Sequence, residues 1–186
     1  LSTLIGGWGG LNQTQTRKIM AFSSIAHLGW MATISTINPD ILLINLFVYI
    51  TMTTTTFMML IFTSSKTIKD LTTSWTISPP TTAMMLILLM SLGGLPPLTG
   101  FVPKWLILQE LTTNHLSMTA TIMALSTLLS LFFYLRITYT STLTTFPTTT
   151  QSVNKWRFFP KSSTTVINLM LLPSILILPM TPMLMQ

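Results

Sequence analysis

An all-α, polytopic transmembrane helix bundle with one broken helix is the fold class predicted by three features of this 186-residue sequence. Charged residues make up only 6% of the chain, against roughly 25% in an ordinary soluble domain. Mean hydropathy is +0.66, and the abundant threonines understate it, because a Thr hydroxyl in a membrane helix can bond back to its own backbone. Apolar runs of about 20 residues, the length that crosses a hydrocarbon core, recur along the chain. So little charge excludes a normal water-soluble surface. It also excludes intrinsic disorder, which needs high charge and low hydrophobicity.

The elements follow in order as one transmembrane domain over 1–186. A helix end is predicted over 1–7, where Leu1 to Ile5 runs into the glycine stop Gly6-Gly7-Trp8-Gly9-Gly10. The chain is therefore expected to be the C-terminal part of a longer subunit. Spans are predicted at 17–37, closed by Asn38-Pro39, and at 41–62, entered through Asp40 as an N-cap. Further spans are predicted at 82–113, at 116–143 and, more weakly, at 164–184, where Pro173 and Pro179 interrupt. Thr53 to Thr56 reads as helix interior and Thr148 to Thr150 as loop.

The 82–113 segment is too long for one simple span and too short for two. Its middle reads Ser91-Leu92-Gly93-Gly94-Leu95-Pro96-Pro97-Leu98-Thr99-Gly100. Gly93, Gly94, Pro96 and Pro97 cannot stay helical together, since proline removes a donor and clashes with the preceding turn. Two half-helices broken at 93–100 are expected. Irregular backbone at membrane depth survives only inside protein or beside a water-filled cavity, and broken helices of this kind mark transport sites.

Charge tests this topology. If each segment crosses once, loops 11–18, 64–80 and 145–163 share one side and hold Arg17, Lys18, Lys66, Lys69, Lys155, Arg157 and Lys161. The opposite loops, 38–40 and 112–116, hold no Lys or Arg. By the positive-inside rule the basic side is cytoplasm or, in a mitochondrion, matrix. The net charge of +6 is thus a matter of topology, and no nucleic-acid partner is expected. With no cysteine and two histidines, neither thiol chemistry nor a conventional metal site is expected.

Lys104 and Arg136 are the cations left inside apolar runs. Lys104 follows the break and lies roughly 12 Å from the far end of its helix. An intramembrane lysine costs on the order of 2.5–3.5 kcal/mol, and such groups are functional by default. A lysine that takes up and releases a proton suits a membrane relay; one that snorkels to the interface would only anchor the helix. His27 is expected near mid-membrane, with Ser23 and Ser24 a turn before it. Its imidazole can pass a proton through either nitrogen, or sit neutral and bonded to Ser or backbone. Glu110, six positions after Lys104, does not share its face. It is either an interfacial carboxylate or an exit-side proton acceptor. Arg136 is expected to snorkel to the basic side, and His115 to be a solvated loop residue.

Two long motifs carry a resemblance. Gly7-Trp8-Gly9-Gly10-Leu11-Asn12-Gln13-Thr14-Gln15 leads into Arg17-Lys18-Ile19-Met20-Ala21 and Ser23-Ser24-Ile25-Ala26-His27-Leu28-Gly29-Trp30-Met31. Leu92-Gly93-Gly94-Leu95-Pro96-Pro97-Leu98-Thr99-Gly100-Phe101 is followed by Pro103-Lys104-Trp105. Together with Phe133-Tyr134-Leu135-Arg136 and Lys155-Trp156 they resemble the mitochondrially encoded chain 2 family of NADH–ubiquinone oxidoreductase, respiratory complex I. Those subunits are antiporter-like proteins of the membrane arm, with two inverted repeats and a broken helix in each. The resemblance implies a proton-translocating subunit, with Lys104 on the path toward the intermembrane space, His27 on the hydrated axis and Glu110 in the same half-helix. The runner-up readings are a structural stator of the same arm, with Lys104 in a fixed ion pair, and a cation/proton antiporter subunit. The resemblance further implies the mitochondrial inner membrane, with loops 11–18, 64–80 and 145–163 in the matrix, other membrane-arm subunits as hetero-oligomeric partners, and lipids such as cardiolipin. No cofactor is expected in this chain; NADH, FMN, iron–sulfur clusters and ubiquinone would belong to partner subunits. The first half of the family, with a Glu, a lysine on the first broken helix and a bridging lysine, has no counterpart here.

Overall fold

The computed structural model describes residues 1–76 and 78–144, with 169, 171 and 174. Among them run seven α-helices: α1 Ser2–Gly10, α2 Thr16–Ile34, α3 Pro39–Phe62, α4 Ile68–Thr73, α5 Pro79–Gly93, α6 Phe101–Thr113 and α7 Ser117–Leu143. A 3-10 turn, Ser74–Thr76, extends α4, and no strand forms among the described residues. α3 and α7 are each long and apolar enough to cross a membrane. They turn Leu43, Phe47 and Ile61, and Leu125, Leu128 and Phe132, outward. Their abundant hydroxyls are satisfied internally: Thr53 to Thr56 each bond a carbonyl three or four residues back. The threonine patch is thus helix interior, and it places no unpaired polar group in an apolar environment.

α1 departs from the expected helix end at 1–7. It continues to Gly10, and the glycines lie within it. They permit close packing rather than a stop. A methyl on Gly6 would meet the Ala26 backbone nitrogen at 2.6 Å, and one on Gly7 would meet Leu129 Cβ at 2.8 Å. α1 thereby seats against α2 and α7, as small residues allow between membrane helices.

Asp40 is not the cap expected of it. The Asn38 side chain accepts the Asp40 N–H at 3.1 Å, and Pro39 takes the first helical position, where a missing N–H is harmless. Helix α2 ends at Ile34, short of Ile37, and α5 begins at Pro79, ahead of Thr82. Of the span expected at 164–184, only 169, 171 and 174 are described, each helical. The remainder of it, Thr148 to Thr150 and the 145–163 loop with Lys155, Arg157 and Lys161 lie outside the described residues.

Two of the basic loops meet. Thr16 N–H donates to the Lys66 carbonyl and Ile68 N–H to the Thr14 carbonyl, each at 3.1 Å. Between them α4 starts with a capping box: Asp70 accepts the Thr67 N–H at 2.8 Å and the Lys66 N–H at 3.0 Å. Those backbone N–H groups, Thr67 first, hold the exposed Asp70 carboxyl below the usual carboxylate range. Arg136 closes the same end, its guanidinium donating to the Leu11 and Gln13 carbonyls of the α1–α2 turn.

The interior has two parts. Near the basic loops, Ile19, Met52, Met59, Leu88, Phe133 and Tyr134 pack together. Toward the opposite end, Trp30, Ile34, Ile107, Leu111 and Met123 do so. The break between α5 and α6 sits where these two clusters approach.

Candidate functional site: the broken helix and the Lys104 cavity

α5 stops at Gly93 because Gly94 adopts φ +87°, the left-handed conformation that glycine takes without a Cβ penalty. The last carbonyls of α5 are then left without helical partners inside the bundle. Lys104, reaching back from the first turn of α6, supplies the missing donor. Its Nζ donates to the Gly93 carbonyl at 3.0 Å and to the Leu92 carbonyl at 3.2 Å. A cation at a helix C-terminus also meets the negative end of the helix dipole. A methyl on Gly94 would lie 2.9 Å from Nζ, so that residue serves the lysine as well as the turn.

Lys104 is buried, at 9% relative exposure. Its hydrogen-bond partners among the described residues are those two carbonyls, and no carboxylate there pairs with it. The connecting segment 94–100 is short and held at both ends. Leu98 N–H returns to the Leu95 carbonyl at 3.0 Å, which turns the chain at the exposed Pro96 and Pro97. Gly100 abuts the Ser91 carbonyl, where a side chain would collide with backbone. Thr99 donates to the Ser174 carbonyl at 2.6 Å, joining the break to a residue near the C-terminus.

His27 stands on α2, half-buried, and lines one cavity with Lys104. Asn45, Tyr49, Trp30, Met52 and Pro103 complete most of the wall, around space for about one water molecule. The His27 and Tyr49 rings lie 5.1 Å apart, tilted by 36°. The Leu92 backbone that accepts from Lys104 is also within reach of His27. Ser23 and Ser24, by contrast, donate back to the Met20 and Ala21 carbonyls at 2.8 and 2.7 Å.

Of the sequence-predicted candidates, the structure brings Lys104 and His27 together and places Gly93 and Gly94 directly under the lysine head. Glu110 is elsewhere: half-buried in the last turn of α6, with its carboxylate bonded to no described residue. His115 sits in the α6–α7 turn at φ 59°. Asn45 and Tyr49 were not among the candidates. Their signal was available: an amide and a phenol one turn apart in an otherwise apolar run, hence on one face of α3.

The arrangement suits proton storage and transfer. An ammonium held by two carbonyls keeps a third N–H or, once deprotonated, a lone pair for the cavity. Imidazole, phenol and amide groups surround it. No group of three or more His, Asp or Glu able to hold a metal occurs among the described residues.

Comparison with known proteins gives this geometry a family. Residues 1–130 match the family described as NADH:quinone oxidoreductase/Mrp antiporter, TM, and residues 131–185 match NADH dehydrogenase subunit 2 C-terminus. NADH-ubiquinone oxidoreductase chain 2 of Osphranter robustus is 56% identical over 184 residues, 99% of this chain and 53% of its own length. The chain of the same name from Cynictis penicillata is 51% identical over 183 residues, covering 98% of this chain and again 53% of the relative. The chain thus spans about half the length of the curated relatives it matches. A chain in the structure of respiratory complex I from Thermus thermophilus with bound aureothin superposes with a TM-score of 0.69 at 25% identity, covering 96% of this chain and 43% of that one. The broken helix and its buried lysine therefore sit in an antiporter-like membrane fold, and the chain belongs to the NADH:quinone oxidoreductase/Mrp antiporter transmembrane family.

Proposed function

We propose that this chain forms part of a proton-translocating membrane-arm subunit of NADH:ubiquinone oxidoreductase. The observation that carries the reading is Lys104, a buried cation neutralised by no described carboxylate and held only by the carbonyls of a broken helix. A lysine in a fixed ion pair would be a structural strut. One held by neutral dipoles can lose its proton without stranding a partner charge. His27, across the same cavity, is the natural exchange partner, and Glu110, nearer the end of α6, would receive protons on the cation-poor side. Quinone reduction elsewhere in the complex would drive uptake and release electrostatically.

In this reading the protein lies in the mitochondrial inner membrane, with loops 11–18, 64–80 and 145–163 toward the matrix. It works as one subunit of a hetero-oligomer, among other membrane-arm subunits and lipids such as cardiolipin. NADH, FMN, iron–sulfur clusters and ubiquinone reside in those partners. The family description also covers Mrp antiporters, which favours a second reading, cation/proton exchange without redox chemistry.

Lys104→Met in the full-length chain, within the assembled complex in sealed vesicles, tests the proposal. Fewer protons pumped per NADH, or slower turnover at normal complex abundance, is expected. Unchanged stoichiometry and rate would leave the stator reading. Proton exchange driven by a cation gradient with no electron donor would favour the antiporter.

A further inference from the structure

Tyr134, on α7, is the least explained polar group in the interior. Its relative exposure is 0% and its hydroxyl hydrogen-bonds no partner among the described residues. A phenylalanine would fill the same space against Phe133, whose ring lies 4.5 Å away, without burying an orphaned hydroxyl. Packing alone therefore does not account for the oxygen.

Its position does. Tyr134 precedes by two residues, about 3 Å of helix rise, the Arg136 that binds the Leu11 and Gln13 carbonyls at the basic end. Its ring also lies beneath the break: a methyl on Gly93 would touch Tyr134 Cδ2 at 3.5 Å, and the Gly93 carbonyl holds Lys104. Ser23 of α2 faces the phenol without closing a bond onto it. α2 leaves the basic end at Thr16, so Ser23 stands one turn on the basic side of His27 and on the same face.

We propose that the Tyr134 hydroxyl is a relay station carrying protons from the basic end of the bundle to His27 and Lys104 by way of Ser23. This rests on the proton-translocating reading above. A hydronium from the basic end gives its proton to the phenol oxygen as the phenol passes its own toward Ser23. Ser23, turning from the Met20 carbonyl, passes a proton on through water to a free ring nitrogen of His27. Both hydroxyls end neutral, the donor ends as water, and His27 has gained one proton.

The test is Tyr134→Phe in the full-length chain of the assembled complex, reading protons per NADH and the D2O effect on turnover, with Lys104→Met measured in parallel. A several-fold loss of turnover or fewer protons per NADH, at normal complex abundance, is expected. Pumping equal to that of the unsubstituted complex would overturn the inference. Should Tyr134→Phe impair assembly, Ser23→Ala decides by the same readout: a fall supports the station and no change removes it. If Lys104→Met abolishes pumping while Tyr134→Phe leaves it intact, only the station fails. If Lys104→Met also pumps normally, the underlying reading fails with it.

Discussion

α7 and the α5–α6 pair pass through the same bundle and solve the same problem in opposite ways. α7 runs unbroken from Ser117 to Leu143, and its interior hydroxyls, such as Ser126 and Ser130, bond carbonyls three residues back. Those serine hydroxyls are satisfied inside one helix, so the positions that carry them can be chosen for packing. The α5–α6 pair leaves carbonyls of Leu92 and Gly93 open within the protein, and a lysine from the other half must answer them. A continuous helix buries polarity by hiding it. A broken helix concentrates polarity at one place, where a proton can be held.

The comparison can be broken most severely at Gly100. A Cβ there runs into the Ser91 carbonyl, and backbone cannot swing aside as a side chain can. Gly100→Ala should cost about 3 kcal/mol or more, at or above the upper end for overpacking. Loss of assembled complex on native gels would show it; normal abundance would mean that the break is more pliant than its contacts indicate.

A middle-sized effect is expected at Asn45. Its side chain is buried at 4% exposure, hydrogen-bonds no described residue and lines the Lys104 cavity. Asn45→Leu should leave abundance unchanged and slow coupled turnover several-fold, because the cavity would lose an amide able to hold water beside the lysine. An unaltered rate would remove Asn45 from the site.

The smallest effect belongs to α7. Ser130→Ala removes a hydroxyl satisfied within its own helix, and should shift stability by no more than about 0.5 kcal/mol, with pumping intact. A large loss in thermal melts of the complex would show that the Ser130 hydroxyl does more than satisfy its own helix.

The break was legible in the sequence because its cause is local. Two glycines and two prolines forbid a helix whatever surrounds them, and a lysine in an apolar run is conspicuous by its cost. The glycines of α1 were misread because the same residue ends a helix or lets two helices touch, and the backbones of α2 and α7 decide which. Asp40 and Asn38 are both good caps, and only the placement of Pro39 at the first helical position selects between them. Asn45 and Tyr49 went unseen because they matter by facing His27 and Lys104, and no local pattern in α3 says which of its faces meets those two residues. Lys104 itself was found, but its partners were not: they are backbone atoms, which no side-chain motif spells out.

Thr99 and Ser174 add a matter of timing. The hydroxyl in the break finds its carbonyl 75 residues further along the chain. At 5–20 residues per second, synthesis leaves the break without that contact for roughly 4–15 s. During that interval the two half-helices exist while their junction is still unfastened. A segment made later is therefore the latch on a feature laid down much earlier, and a chain that stops before Ser174 would carry every residue that lines the lysine cavity yet lack the bond that fastens the adjoining break.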